Sequence, residues 1–302
     1  MSDAHLHLYP HRRPTDPDAE APPNGPYPLD LVERFVAAAA ARGVGELTFT
    51  EHLFRCVEST QALGPFWERA GDPVLAEYTR SVIEADRTMS LDRYVDLILR
   101  AKEAGLPVLL GLEVDFVPGT IEAVLELVAP YPFDLLIGSV HWIDGWWFDR
   151  AVVAGEWERR GHRRVYEEYF ALKTALAATG AVDVLAHPDR IKYLGHRLPE
   201  EPFDLYEELV SAAASTGMAF EVNSSGLRHP VAEVYPGPSL LRMVADAGLE
   251  ITFGSDGHRS DQAGLGLYQA RVAAASAGFT RRARFVARRR SLVPFGTSGT
   301  PD

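Results

Sequence analysis

Several histidines of this sequence stand where they could bind a metal ion. His5 and His7 form a His-x-His pair at the end of the first short apolar run of the chain. In a β-strand, residues i and i+2 point to the same face, so both imidazoles could reach one ion. Alone, the pair is a modest signal, because a His-x-His also occurs by chance.

Residues of the same chemical types end each later apolar run. They are His52, Glu113, His141, His187, Glu221 with Asn223, and Asp256 with His258. A lone buried histidine is more often a core residue than a ligand, but such residues after every run favour one shared metal centre. Histidine and carboxylate ligands without cysteine suit Zn²⁺, Mn²⁺ or Fe²⁺, and their number exceeds what one ion can use. We therefore expect two or three divalent ions, with Glu113 as the bridge between them.

The apolar runs are predicted to be β-strands that alternate with helices. The runs lie at 3–8, 46–50, 107–114, 134–140, 182–186, 218–222 and 250–254. Helical patterns lie near 30–42, 91–104, 119–128, 156–179, 203–216, 237–247 and 261–277. Nearly continuous apolar runs such as VLLGL are typical of strands buried on both faces of a parallel sheet.

Seven strand–helix units in one direction predict an α/β fold. We expect a distorted (βα)7 TIM-like barrel of parallel strands, as a single domain over residues 1–302, with an open doubly wound sheet as the alternative. The carboxyl ends of the strands of such a barrel converge on one mouth, where active sites lie. Two stretches interrupt the pattern: a Pro-rich loop at 9–28, and a helical insertion at 53–90, expected to be a lid or a solvated excursion.

The composition excludes several classes of protein. The chain has 302 residues and a formal net charge of −12, and this acidity argues against general binding of nucleic acid. A single cysteine, Cys56, excludes a disulfide framework and a cysteine-based zinc site. The Arg-rich run at 281–290 alternates with apolar residues, which favours a final edge strand or the surface of a homo-oligomer over a nucleic-acid patch.

The sequence carries no signal for a membrane or for secretion. No apolar run approaches the roughly 18–20 residues that span a bilayer. Residues 1–8 lack the basic and apolar regions of a signal peptide. We expect a cytoplasmic protein without a membrane partner.

The strand-end residues, in their order along the chain, resemble the motifs of the polymerase and histidinol phosphatase (PHP) superfamily. The resemblance extends from position 3 to about position 280. The segments LAHPDRIKYLG (185–195) and SSGLRHPVAEVYPGPSLL (224–241) resemble its histidinol-phosphate phosphatase branch in particular. That family has a distorted (βα)7 barrel that holds a trinuclear metal centre.

The resemblance implies a set of ligands for each of three ions. The first ion would be held by His5, His7, Glu113 and Asp256. The second would be held by Glu113, His141 and His187, and the third by His11, His52 and His258. His11 stands in the Pro-rich loop, beyond the His-x-His pair.

A multinuclear divalent site suits the hydrolysis of a phosphate monoester. It polarises a phosphoryl oxygen and lowers the pKa of a bound water towards roughly 7. The resemblance therefore implies a metal-dependent phosphatase that converts L-histidinol phosphate and water into L-histidinol and phosphate, in histidine biosynthesis, by attack of a metal-bridging hydroxide. We expect Glu113, Asp256 and His187 to be its catalytic residues.

Charged residues beyond the metal ligands are candidates for binding the substrate. Arg228 is the leading phosphate clamp, since a guanidinium can bind two oxygens at once. Arg190 is a second cation, and Asp189 could bind an amino group. Glu51 and Glu221 could orient histidine ligands. Two alternatives stay open: a phosphoesterase of the same superfamily that acts on nucleotides or DNA 3′ ends, and a metal-binding module without catalysis.

Overall fold

The predicted strands form the parallel sheet at the centre of the fold. The structure, a computed structural model, describes residues 1–12, 22 and 24–296. Its first nine strands are β1 (Ser2–Leu6), β2 (Glu46–Phe49), β3 (Val108–Asp115), β4 (Leu135–Ser139), β5 (Trp142–Ile143), β6 (Trp146–Trp147), β7 (Val184–Leu185), β8 (Ala219–Asn223) and β9 (Ile251–Gly254). Strands β5 and β6 form a separate hairpin, and the other seven pair in parallel in chain order.

The last strand of this sheet returns to the first. Beyond β9, the amide of Asp256 donates to the carbonyl of His5 over 2.8 Å. The amide of His7 then donates to the carbonyl of Gly257 over 2.8 Å. The sheet is therefore a nearly closed barrel, and the predicted α/β fold, a distorted seven-stranded TIM-like barrel, is confirmed.

Helices surround the barrel close to the predicted places. They are α1 (Leu29–Ala40), α2 (Ser59–Leu63), α3 (Pro73–Asp86), α4 (Leu91–Glu103), α5 (Ile121–Val128), α6 (Gly155–Arg160), α7 (His162–Thr179), α8 (Phe203–Thr216), α9 (Pro238–Asp246) and α10 (Leu267–Ser276). The single helix predicted at 156–179 is wrong, because Gly161 takes a φ of 86° and separates α6 from α7. That positive φ is open to glycine at no steric cost and is incompatible with a continuous helix.

Helix α4 shows how the local sequence positions a strand of the site. Ser90 caps the helix by accepting a hydrogen bond from the amide of Arg93 over 3.4 Å, a contribution of about 1 kcal/mol. The hydroxyl of Tyr94, on the buried face, lies 2.7 Å from the carbonyl of Phe49 and 2.8 Å from that of Gly111. The helix is thereby attached to β2 and to β3, the strand that carries Glu113.

A C-terminal hairpin closes the amino end of the barrel. It consists of β10 (Arg281–Val286) and β11 (Arg289–Pro294), which pair with each other in antiparallel fashion. Ala283 and Phe285 are buried against apolar side chains of the barrel strands, namely Ala4, Leu135, Ile137, Val184, Ala186 and Ala219. These contacts remove apolar surface from water at the end of the barrel opposite the predicted ligands.

Three of the six arginines at 281–290 are paired with acids. The ion pairs join Arg284 to Glu46, Arg288 to Asp183 and Arg290 to Glu250, and each of these acids begins or precedes a barrel strand. The strand predicted within 281–290 is present as β10, but it does not join the edge of the barrel sheet, because it pairs with its own continuation and docks on the acidic end of the barrel. Much of the charge that resembled a nucleic-acid patch is compensated within the fold.

The insertion at 53–90 is helical, as predicted, and lies at the mouth of the barrel. It contains α2, α3 and two 3₁₀ turns, at Leu53–Arg55 and Phe66–Ala70. The hydroxyl of Thr79 on α3 donates to the carbonyl of Gly145, in the turn between β5 and β6, over 2.7 Å. The predicted Pro-rich loop at 9–28 falls largely outside the described residues, and the extent of the domain over 1–302 stays a prediction.

Candidate metal centre

The strand ends bring the predicted ligands together at one end of the barrel. Groups of three residues have possible ligand atoms within 4.8 Å of one another. Across these groups the predicted ligands are His5, His7, His52, Glu113, His141, His187, Asp256 and His258. The convergence follows from the parallel order of the strands, since each of these residues lies at or just beyond a carboxyl end.

Glu113 lies at the centre of this cluster, and its two oxygens face different imidazoles. The first set faces Oε2, with ring nitrogens of His52, His5 and His7 at 2.7, 3.4 and 3.6 Å. The second set faces Oε1, with Nε2 of His187 and His141 at 3.0 and 3.6 Å. A carboxylate so placed can bridge two ions, one on each oxygen.

The hydrogen bonding of buried polar atoms in the cluster tests whether divalent ions fit there. Oε2 of Glu113 and Nδ1 of His52 are only 2.7 Å apart, yet both lack a hydrogen bond in the described structure. A buried polar atom without a partner costs roughly 1–3 kcal/mol. A divalent cation would satisfy these atoms, and a donor set of nitrogen and oxygen suits zinc, manganese or iron. The residues present therefore fit such ions.

Asp256 and His187 reach the cluster through unusual backbone conformations. The φ angles are 53° at Asp256 and 26° at His187, values that are uncommon outside glycine. Oδ1 of Asp256 consequently lies 3.4 Å from Nε2 of His7 and 3.7 Å from Nε2 of His5. Such backbone strain concentrates at functional sites, where surrounding contacts maintain it.

Carboxylates behind the imidazoles orient three of them. Nδ1 of His5 lies 2.8 Å from Glu221, Nδ1 of His141 lies 2.6 Å from Asp115, and Nδ1 of His11 lies 2.7 Å from Asp86. A protonated Nδ1 directed at a carboxylate leaves Nε2 free to bind a metal. Glu51 accepts a hydrogen bond from the amide of Leu8, and its Oε2 lies 3.8 Å from Nδ1 of His7.

Sequence reasoning missed two of these carboxylates. Asp115 follows Glu113 by two residues on β3, so the period of a strand could have placed both on one face. Asp86 is the last residue of α3, in the insertion, and no local pattern connects it to His11.

The electrostatics of the site favour the protonation states that metal ligands need. Burial lowers the pKa of His52 to about 4 and holds that of His11, His141 and His258 well below the usual range. Burial raises the pKa of Glu113 and Asp256, but nearby imidazoles outweigh it and hold both well below their usual values. Neutral imidazoles and ionised carboxylates are the forms that bind divalent ions.

His5 and His7 behave differently from these imidazoles, because nearby carboxylates outweigh burial and raise the pKa of each, most strongly that of His5. Burial lowers the pKa of His5, but the carboxylates of Glu221, Asp256 and Glu113 outweigh burial and raise it well above the usual value. In the metal-free protein, the carboxylates around His5 therefore favour its protonated form.

His11 lies beside the cluster rather than within it. Its ring centroid is 4.9 Å from that of His52 and 4.7 Å from that of His258. The groups of ligand atoms within 4.8 Å of one another do not include His11, for the residues that the structure describes. Its ring nevertheless lines the same cavity as the other two.

The candidate substrate residues differ in how they meet this cavity. Its lining consists of His11, His52, Phe54, His141, Trp147, Arg150, Arg190, Asp256 and His258. Arg190 is held in this lining by two contacts of 3.0 Å to Asp149 and one of 3.3 Å to Asp256. Arg150, which sequence reasoning missed, lies over the ring of Trp147 with its guanidinium carbon 4.0 Å from the centroid.

The other two predicted substrate residues lie outside that lining. Arg228 donates to the carbonyls of Ser255 and Asp256, and its second terminal nitrogen is buried without a hydrogen bond in the described structure. The carboxylate of Asp189 lies 2.6 Å from Nζ of Lys192. The structure thus places Arg150 and Arg190 in the lining of the cavity and Arg228 outside it.

None of the helices in the described part of the chain has the length and apolar character to cross a membrane.

Curated relatives of known name share much of this sequence. The chain is 38% identical over 160 residues to a protein of Deinococcus radiodurans named "probable histidinol-phosphatase", a match that covers 53% of this chain and 61% of that protein. It is 24% identical over 266 residues, 82% of each chain, to a protein of Schizosaccharomyces pombe with the same name.

Solved structures and a family profile match as well. A crystal structure of histidinol phosphate phosphatase from Lactococcus lactis, in complex with zinc, L-histidinol and phosphate, superposes with a TM-score of 0.66 at 20% identity, covering 96% of this chain and 97% of that one. At this identity the likeness shows the fold alone. Residues 29–225, more than half of the chain, match the family described as PHP domain. The protein therefore belongs to the PHP domain family.

Proposed function

We propose that this protein is a metal-dependent phosphate monoester hydrolase that converts L-histidinol phosphate and water into L-histidinol and phosphate. The observation that carries the hydrolase assignment is Glu113, whose two oxygens face separate sets of imidazoles. The substrate assignment is supported by the two relatives named as probable histidinol-phosphatases, and by the Lactococcus lactis phosphatase crystallised with histidinol and phosphate.

Glu113 would contribute one oxygen to each of two ions. The remaining ligands of the first ion would be His5, His7 and Asp256, those of the second His141 and His187, and those of a third His11, His52 and His258. Bound divalent ions would polarise the phosphoryl group and supply a nucleophilic water at neutral pH.

The residues of the chain bind and orient the substrate around that centre. Arg150 and Arg190 line the cavity, so their guanidinium groups can donate to a phosphate dianion. Arg190 is held in place by Asp149 and Asp256. Asp256 lines the same cavity and its pKa is held well below the usual value, so it is an ionised carboxylate that would serve as a ligand of the first ion.

Arg228, His187 and Asp189 have supporting roles in this proposal. Arg228 binds the carbonyl of Asp256 and so orients the loop that carries this acid. His187 lies 3.0 Å from Glu113 and completes the second ion position. Asp189 is paired with Lys192 at 2.6 Å and lies outside the cavity lining, so its contact with the amino group of the substrate stays a prediction.

A substrate panel tests this proposal. Purified protein is loaded with zinc, manganese or iron, and phosphate release is measured from histidinol phosphate, from nucleotides and from a DNA 3′-phosphate. We expect histidinol phosphate to give the highest kcat/KM. Preference for a nucleotide or for DNA would favour the other phosphoesterase hypothesis, and no release from any ester by the loaded protein would favour a module without catalysis.

We further propose that the protein acts in histidine biosynthesis, which the names of its relatives support. A location in the cytoplasm stays a prediction. A homo-oligomer and the identity and number of the ions stay predictions. Sedimentation of the metal-loaded protein and elemental analysis would measure them.

A further inference from the structure

We propose that the base of the 53–90 insertion, where its two ends meet, positions a ligand of the third ion. Asp86 and Arg55 are the positioning residues, and the ligand is His11. The inference rests on the metal centre of the proposed function. It gives the insertion, which is not part of the barrel itself, a role in the metal centre.

The two ends of the insertion meet in a short backbone ladder. The amide of Met89 donates to the carbonyl of Arg55 over 3.0 Å, and the amide of Val57 donates to the carbonyl of Met89 over 2.9 Å. The side chain of Arg87 adds a hydrogen bond of 3.0 Å to the carbonyl of Phe54. The excursion is therefore closed at its base, which brings Arg55 and Asp86 together although they are 31 residues apart in sequence.

Asp86 contacts both the ring of His11 and the backbone amide of the residue that follows it. Its Oδ2 lies 2.7 Å from Nδ1 of His11, and its Oδ1 accepts a hydrogen bond of 2.8 Å from the amide of Arg12. The carboxylate is fully buried. These two contacts set both the tautomer of His11 and the direction of its ring, so Nε2 is the nitrogen left for a ligand.

Arg55 fixes the backbone that leads to His11. Its guanidinium donates to the carbonyls of Tyr9 and Pro10 over 2.8 and 2.9 Å. The same group lies 3.2 Å from Asp86 and 3.3 Å from Glu51, and it is fully buried. A buried guanidinium paired with two carboxylates is a rigid support, because losing either partner would leave an uncompensated charge.

This support is needed because His11 lies beyond the end of β1, in a segment without regular structure. The other two residues of the third position are tied to the barrel by backbone pairing: His52 forms a parallel bridge with Glu113, and His258 follows Gly257, which forms one with Leu6. His11 therefore depends on contacts from another part of the chain to remain 4.9 and 4.7 Å from their rings. The insertion supplies those contacts.

The variant Asp86→Asn tests the inference with metal binding as the readout. The amide nitrogen of asparagine is a donor, so contact with Nδ1 would favour the tautomer of His11 that carries its proton on Nε2. That tautomer cannot bind an ion through Nε2. We expect one ion per chain to bind roughly 10- to 100-fold more weakly, the range for the loss of such an orienting group, while the other ions keep their affinity.

The matched control is Asp134→Asn at the opposite end of the barrel. Asp134 is also a buried aspartate, paired with Lys102 over 2.7 Å and bonded to the amide of Leu110 over 2.9 Å. Bound zinc per chain is counted by elemental analysis after dialysis against buffered free Zn²⁺, and thermal unfolding is recorded for each protein. The control should lower the unfolding temperature and keep the full number of ions.

A ligand variant completes the set. His11→Ala should lose the same ion as Asp86→Asn, and the double variant should lose no more than His11→Ala alone. Wild-type zinc affinity in Asp86→Asn would overturn the inference, as would full metal content in His11→Ala. Equal loss of zinc from the Asp86 and Asp134 variants would also overturn it, since general destabilisation would then explain the effect.

These measurements are independent of the proposed substrate. If the loaded wild-type protein released no phosphate from histidinol phosphate, the proposed function would fail, and the zinc counts would still decide the role of Asp86.

Discussion

Lys173 is a buried cation on α7 close to the metal centre, and its replacement by methionine tests the cost of that burial. Nζ of Lys173 lies 2.7 Å from the carbonyl of Ala186 and 3.5 Å from that of Gly138. The side chain is fully buried among the strands β4 and β7. The ammonium group therefore holds the backbone just before His187 in place. Removing its charge from water costs free energy of folding.

The magnitude follows from the shift in pKa. Burial lowers the pKa of Lys173 from 10.5 to about 7. Between these values the unfolded chain holds a proton that the folded chain has lost, so the free energy of unfolding rises with pH. The difference, 10.5 − 7 = 3.5, corresponds to roughly 5 kcal/mol at about 1.4 kcal/mol per pH unit. This cost is fully present below pH 7 and disappears by about pH 10.5.

Urea unfolding of the metal-free wild type and of Lys173→Met, at pH 6.5 and pH 9.5, measures the effect. Methionine has a similar length and no charge, so it escapes the cost at both pH values. The loss of the hydrogen bond to Ala186 adds a constant that does not depend on pH. Relative to the wild type, we expect the variant to lose roughly 3 kcal/mol of stability between the two pH values.

One result of this comparison would contradict the reasoning about Lys173. Groups that titrate in both proteins cancel in the difference between them, so the change can be assigned to position 173. An equal difference at pH 6.5 and pH 9.5 would refute the reasoning, because it would mean that Lys173 keeps its charge without penalty in the folded state.

Five further substitutions probe the site and the fold. Glu113→Ala should remove metal and activity together, and full metal content in elemental analysis would contradict a bridging role. Glu221→Gln should weaken zinc binding roughly 10- to 100-fold, as measured by competition with a chelator. Arg150→Ala should raise KM for the phosphate ester roughly 10-fold or more, while Arg228→Ala should chiefly lower kcat; the reverse pattern in steady-state kinetics would exchange their roles. Phe285→Ala should destabilise the protein by about 3 kcal/mol in urea unfolding while the zinc content stays unchanged.

The convergence of the candidate ligands was predictable because their positions obey the period of a strand and the polarity of a barrel. His5 and His7 face the same way since they are two residues apart. Glu113, His141 and His187 meet because parallel strands present their carboxyl ends on one side. Both rules act on short segments, so a single sequence is sufficient to apply them.

The places where prediction failed share a physical cause. The break at Gly161 and the separate hairpin at 281–294 lie in segments whose local patterns also suit a continuous helix or an edge strand. The arginines of the hairpin resemble a nucleic-acid patch until Glu46, Asp183 and Glu250 are seen to pair with them. Those acids come from three distant parts of the chain, so composition cannot show the pairing.

The sequence by itself therefore determined the barrel, the direction of its strands and the chemical types at its mouth. Glu221 was also foreseen as an orienting group, but only the tertiary structure revealed the others that orient and support the site. Asp86 meets His11 across 75 residues, and Arg150 reaches the cavity by lying on Trp147. Such contacts depend on how the insertion and the β5–β6 hairpin pack on the barrel, and packing is a property of the whole folded chain rather than of any local pattern.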